Sequence, residues 1–160
     1  MLAQAGAAVT LAAAALGCQT PAMQQSTTYV AVQTSGPGML EVTEQVVRWV
    51  AAQRMEQGLL TIFCQHTSAS LLIHENAAPA ARRDTEAYFA RIAPESADYE
   101  HDDEGPDDMP AHLRAALTQP ALSIPLIGGR LALGTWQGVY LFEHRRRPHR
   151  RTLALHLIGA

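Results

Sequence analysis

Leu59-Leu60-Thr61-Ile62-Phe63-Cys64-Gln65 and Ala69-Ser70-Leu71-Leu72-Ile73 are two apolar runs rich in β-forming residues, parted only by His66-Thr67-Ser68. Nearly continuous apolar character over so short a length reads as two buried strands of one central sheet. Upstream, residues 28–33 alternate as a strand, Ser35-Gly36-Pro37-Gly38 is a turn, and 39–42 is a short second strand. Thr43 reads as an N-cap; Val46, Val47, Val50 and Ala51 recur at helical spacing until Gly58, which predicts a helix over 44–56. Downstream, Pro79 suits a first helical turn, Ala87, Tyr88 and Ile92 mark the buried side, and Pro94 lies past the end. Pro110 opens a shorter helix carrying Leu113, Ala116 and Leu117, closed by Pro120. Residues 122–127, a Gly128-Gly129 turn, 130–133, 139–143 and 152–158 return to β structure, with Pro125 placing its strand at an edge or bulge. Strands, helix, strands, two helices, strands is an α+β order, not a βαβ repeat. The expected architecture is one domain over 23–160 with a mixed β-sheet core and about three helices.

With 160 residues there is room for one domain with a real core. Apolar residues are 48%, charged residues 17% and the net charge is −3, which fits neither a disordered chain nor a generally basic nucleic-acid binder. All 12 positive charges are arginines. A Schiff-base lysine, a lysine-bound pyridoxal phosphate and a Walker A lysine are thereby excluded. Residues 1–22 hold an Ala-rich run and Gly17-Cys18 without a preceding positive charge, and are read as an extension outside the domain. The expected location is the cytoplasm, with export as the alternative if 1–22 act as a signal or lipoprotein segment. No apolar run reaches the roughly 20 residues of a membrane span, and with only Cys18 and Cys64 no structural disulfide is expected.

Three of the seven histidines stand at element ends, where side chains can converge on a cleft: His66 after a strand, His101 in a carboxylate-rich loop, and His112 at a helix start. Two imidazoles and a third donor suit zinc or another borderline metal. The bland reading of each is a cap or a surface side chain. Asp102 and Asp108 lie close in sequence to His101 and His112 and are candidate outer-shell partners that would orient them. The other acids between Glu95 and Asp108 read as a solvated loop. His74, His149 and His156 read as ordinary strand or loop side chains. The run Arg145 to Arg151 joins two strands and reads as an exposed hairpin tip; one or two of its arginines would suit phosphate, and nucleic acid is not an expected partner. Trp136, between Gly134 and Gly138, is either core or the lining of a ligand site.

Taken together, Gln65-His66-Thr67-Ser68-Ala69-Ser70, Glu75-Asn76, Tyr99-Glu100-His101-Asp102, Met109-Pro110-Ala111-His112, Gly129-Arg130, Gly134-Thr135-Trp136-Gln137-Gly138 and Glu143-His144 resemble the YjbQ family from about residue 25 to the C-terminus. The resemblance implies a small α+β fold assembling as a homotrimer around small-molecule sites. It also implies a low-level thiamine phosphate synthase activity, joining hydroxymethylpyrimidine diphosphate to thiazole phosphate with release of pyrophosphate. On that reading Glu75 and Glu143 are the catalytic candidates, and Ser68, Asn76, Trp136, Gln137 and Arg130 would bind substrate. His66, His101 and His112 would hold a divalent metal, zinc or magnesium. Two other classes stay open: a metal-dependent hydrolase or lyase acting on a small phosphorylated or heterocyclic substrate, and a ligand-binding trimer without catalysis.

Overall fold

Residues 22–96 and 98–160 are described by a computed structural model. The strands are β1 (Gln24–Thr34), β2 (Gly38–Glu41), β3 (Gln57–Cys64), β4 (Ala69–Glu75), β5 (Ala121–Ile127), β6 (Arg130–Leu131), β7 (Gln137–Glu143) and β8 (His149–Gly159). The helices are α1 (Thr43–Ala52), α2 (Pro79–Ile92) and α3 (Asp108–Leu117). They form two antiparallel sheets, one in the order β1-β8-β3-β5-β6 and one in the order β2-β7-β4. Residues 1–21 of the expected 1–22 extension, and with them Cys18, lie outside the described residues. No helix among the described residues is long and apolar enough to cross a membrane.

The two runs around His66-Thr67-Ser68 are strands, but they belong to different sheets. β3 lies inside the five-stranded sheet and β4 at the edge of the three-stranded one. Apolar runs report burial and not partnership. The crossing is set by backbone hydrogen bonds: Cys64 N–H donates to Pro120 O and Gln65 N–H to Thr152 O, after which the chain leaves the first sheet and Leu71 N–H reaches Gln119 O. His66-Thr67-Ser68 is thus a corner between sheets.

The inner face of the large sheet (Leu60, Ile62, Leu122, Ile124, Leu126, Leu153, Leu155, Leu157) packs on α1 through Val46 and Val50, and on Ala69, Leu71, Val139 and Leu141 of the small sheet. The far side of the small sheet buries Met39, Tyr140 and Phe142 under Phe89 of α2. Covered on both faces, β7 is buried from Gly138 to Glu143, which accounts for its unbroken apolar run. The outer face of the large sheet carries no such cover among the described residues. Tyr29, Leu59, Phe63, Ile127 and Ile158 are exposed there.

Five local expectations are corrected. α1 ends at Ala52 and not at residue 56; Arg54 takes a left-handed φ of 58° and turns the chain so that Met55 is buried. Gly58 lies within β3, opposite Gly159, where an added Cβ would stand 2.4 Å from Ile158 O; it marks close strand approach rather than a helix stop. Thr43 is the first residue of α1 and not its cap: its hydroxyl donates to Glu41 Oε1 at 2.8 Å and accepts Val139 N–H at 2.9 Å, tying the helix to β2 and β7. Tyr88, Ile92 and Leu117 are exposed, whereas α2 turns Phe89 inward and α3 buries Asp108, Ala111 and Arg114. Lastly, Arg145 to Arg151 is no hairpin tip, because β7 and β8 lie in different sheets and Arg145 and Arg151 pair inward, while Arg146, Arg147 and Arg150 stay exposed.

Candidate metal centre

Pro94 closes α2, and the following loop returns to α3 by turns in which Gly105 N–H donates to Asp102 O and Asp108 N–H to Gly105 O. Gly105 has φ +101°, a conformation that favours glycine. The loop carries His101 to the first turn of α3, where Asp108 and His112 stand one helical turn apart on one face. His101 Nε2 is 2.8 Å and His112 Nε2 3.2 Å from the same oxygen, Asp108 Oδ2. One ligand atom from each residue lies within 4.8 Å of the others.

The surroundings fix this group. Asp108 is 1% exposed, and its other oxygen accepts from Arg145 Nη1. Arg145 also donates from Nε to Asp107 Oδ2 at 3.1 Å and from Nη2 to Glu104 O at 2.9 Å. Burial alone would raise the Asp107 carboxyl, but the N–H of Arg146 and the Arg145 guanidinium outweigh it and hold it below its ordinary value. His112 Nδ1 lies 2.9 Å from Thr67 O, so Nδ1 carries the proton and donates to the corner between the sheets. Its Nε2 lone pair then faces a carboxylate oxygen. Two acceptors in that position require a proton or a cation between them. The donor set of two imidazoles and one carboxylate, with a backbone carbonyl fixing one tautomer, fits a divalent metal such as zinc.

His66 takes no part in this cluster. Its Nε2 accepts Thr152 N–H at 2.7 Å, so that lone pair is occupied. Burial, then the charge of Arg151, lowers its pKa, which leaves a neutral ring with the proton on Nδ1. His66 is a fixed donor and not a ligand. It lines, with Thr67, His112, Ala115, Ala116 and Pro120, a largely apolar cleft of about 510 Å³ on the His112 side of the centre. Asp108, expected as an outer-shell partner, stands within the cluster beside both histidines, and the exposed Asp102 side chain makes no hydrogen bond to either histidine among the described residues.

The catalytic and substrate-binding candidates separate. Glu143 is fully buried: Arg151 donates to it from Nε at 2.7 Å and Nη2 at 2.5 Å, Thr34 Oγ1 at 2.8 Å, and the N–H groups of His144 and Arg145 at 3.0 Å each. Burial by itself would raise its pKa, but these hydrogen bonds hold it below the usual carboxylate value. Ser68 belongs to the same network, its hydroxyl accepting from Arg151 Nη2 at 3.2 Å. With every acceptor engaged, Glu143 braces the structure and is not a free acid or base. Glu75 pairs opposite Gln137 at the far end of β4, whereas Glu143 pairs opposite Ala69, so about 20 Å of strand separates the two carboxylates. They cannot serve one bond.

Trp136, Gln137 and Glu75 do come together, lining a cleft of about 560 Å³ with Ile73, His74 and Ala77; Asn76 N–H donates to Trp136 O at 3.0 Å. Trp136 is 64% exposed and therefore not core. Arg130 is exposed on β6, at the edge of the other sheet, and does not line this cleft. Cys64 is buried and forms no disulfide among the described residues, its thiol pushed up to about 11 by burial.

A family model described as UPF0047 protein YjbQ-like matches residues 28–160. The chain belongs to the YjbQ-like UPF0047 family. A UPF0047 protein of Synechocystis sp. is 46% identical over 129 residues, covering 80% of this chain and 88% of its own. UPF0047 protein YjbQ of Escherichia coli O157:H7 is 42% identical over 119 residues, covering 74% and 86%. Among solved structures, a yjbq/UPF0047 family protein of Clostridium acetobutylicum superposes with a TM-score of 0.76 at 31% identity, covering 81% of this chain and 98% of that one. A YbjQ-like protein of unknown function from Sulfolobus solfataricus gives 0.77 at 21% identity, covering 86% and 100%, a likeness of fold alone. The expected YjbQ membership and α+β architecture with three helices therefore stand.

Proposed function

We propose that the chain is a metal-dependent hydrolase or lyase acting on a small phosphorylated or heterocyclic substrate. The observation that carries this reading is the His101–Asp108–His112 cluster, whose buried carboxylate and fixed His112 tautomer leave Nε2 and Oδ2 facing one point. A divalent cation held by those atoms supplies Lewis acidity and an acidified water. The protein's own contributions are separate. His66 offers an Nδ1–H at the wall of the adjoining cleft, and Ala115, Ala116 and Pro120 give that cleft a largely apolar lining. Arg147, which lines a neighbouring cleft with Arg145 and His149, suits a substrate phosphate. Elemental analysis and turnover test the reading together. His101→Ala and His112→Ala should each lose bound metal and hydrolytic turnover, while Asp102→Asn keeps both. Wild-type metal content in His101→Ala would overturn it.

Thiamine phosphate synthase activity is the second reading, and Trp136 favours it: an exposed indole beside Glu75 suits a cationic pyrimidine. That cleft lies at the opposite end of β4 from the His112 corner, so one active site using both would draw them from two subunits. Homotrimer formation fits a further feature. The outer face of the large sheet, including Tyr29, Ala31, Leu59, Thr61, Phe63, Ser123, Pro125, Ile127, Ala154 and Ile158, has no acid across β1, β8, β3 and β5. Such a face suits burial against other copies. Phe63→Glu should therefore shift the sedimentation mass from trimer to monomer; a wild-type monomer at all concentrations would exclude the assembly.

A further inference from the structure

Behind the metal centre, β2, β7, α2 and α3 enclose a cleft of about 340 Å³ whose lining includes Phe89, Phe142, Arg83, Arg114, Glu86 and His144. Two of these side chains are buried without a complete set of partners. His144 is 1% exposed and its Nδ1 has no partner; Arg114 is 8% exposed and its Nε has none, although its Nη2 donates to Ala93 O at 2.7 Å. Buried polar atoms are rarely left so.

Proton accounting settles what His144 presents. Its Nε2 lies 2.9 Å from Ser70 Oγ, and that contact is the hydroxyl's one hydrogen bond among the described residues. If Nε2 carried the proton, the Ser70 O–H would have no acceptor and Nδ1 would be a buried bare lone pair, giving two defects. If Ser70 donates to Nε2, the proton sits on Nδ1 and one donor is left over. The second arrangement satisfies more groups. Burial, with the nearby positive charge of Arg114, keeps the ring neutral. The cleft thus holds two unanswered N–H donors, one of them on a guanidinium.

We propose that this cleft is a binding site for a small carboxylate with a flat apolar body. Two donors beside a single positive charge match the two oxygens and single charge of a carboxylate, and would leave part of a phosphate's charge unanswered. Phe89, Phe142, Ala87 and Ala90 would face the apolar body, and Arg83 stands exposed among the lining residues. The two acids lining the cleft do not compete for these donors, and Glu95, whose charge also acts on Arg114, pairs with Arg146. Glu86 accepts Met39 N–H at 2.8 Å, and Glu143 is saturated by Arg151, Thr34 and two backbone amides. The site is separate from the metal centre: Arg114 and His112 leave α3 on different faces, and no metal ligand lines the cleft.

Benzoate is the probe, with benzamide as its neutral counterpart, titrated into the full chain labelled with ¹⁵N-histidine. Benzoate should saturate in the range of about 1 mM, as expected for a ligand of its size, and shift the His144 Nδ1 resonance. Benzamide should bind at least about tenfold more weakly. Arg114→Met should weaken benzoate by a similar factor while keeping the metal. Because Arg114 is buried and its loss could unfold the chain, Arg83→Ala provides the second arm, with a smaller loss of affinity. No saturation, equal binding of benzamide, or saturation without a change at His144 would each overturn the proposal and assign the two donors to internal water.

Discussion

Arg151→Met is expected to cost about 3–5 kcal/mol of folding stability, read as the loss in unfolding free energy by urea titration. Glu143 and Arg151 are 0% and 5% exposed and meet through two guanidinium nitrogens. Removing the guanidinium leaves a carboxylate in the interior with only Thr34 and two amides to solvate it, against a typical total stability of about 5–15 kcal/mol. The double variant Glu143→Leu with Arg151→Met should recover part of the loss, since no charge is then stranded. Recovery stays incomplete because Thr34 and the N–H groups of His144 and Arg145 lose their acceptor. A single-variant cost below about 1 kcal/mol would mean the pair behaves like an exposed one, and the bracing role would be wrong. The effect should also reach the metal centre. Arg151 Nη2 holds Ser68, next to Thr67, and Thr67 O fixes the His112 tautomer.

That network shows where sequence reading works and where it stops. The strands were legible because alternation and β-branched runs report burial directly, as in β3, with Leu60, Ile62 and Cys64 inward and Leu59 and Phe63 outward. The faces of α3 were not legible. Its buried residues include Asp108 and Arg114, whose partners Arg145 and Ala93 lie far along the chain, and no hydrophobic period can announce an inward-facing charge. His101 and His112 stood out by position. Sequence proximity suggests an orienting role for Asp108 but does not say which atom faces which; the geometry gives it an equal share in the cluster. His66 failed as a ligand because the N–H of Thr152 uses its Nε2, a contact made across two strands. The Ser70–His144 pair has no clear signal in the sequence: His144 stands two residues past the apolar run of β7, after Glu143, and nothing in that spacing says that it is buried.

Acid should destabilise the protein from an unusually high pH, and His144 should account for the largest share. Burial, with Arg114 on α3 and Arg151 on β8 close by, lowers its pKa from 6.5 to about 3, while the neighbouring Glu143 acts in the opposite sense. In the unfolded chain the imidazole takes up a proton near pH 6.5; in the folded chain it does not until far lower. The unfolded state therefore binds more protons between those values, and stability falls as the pH drops through that window. The stabilisation is complete above pH 6.5, and its loss approaches on the order of 4 kcal/mol near pH 3. His66, lowered by burial and by Arg151, adds in the same direction. Glu143, held below its ordinary value, adds a further loss only as the pH falls below about 4.5. Urea titrations of wild type and His144→Phe between about pH 7.5 and 4.5 isolate the term, because the proton linkage of every other group is common to both proteins. Excess chelator in both keeps the metal centre out of the difference. His144→Phe should be less stable than wild type at pH 7.5, where Ser70 loses its partner, and should close that gap as the pH falls. Parallel curves would mean that His144 is already solvated enough to protonate in the folded chain, and the buried Ser70–His144 pair would have to be abandoned.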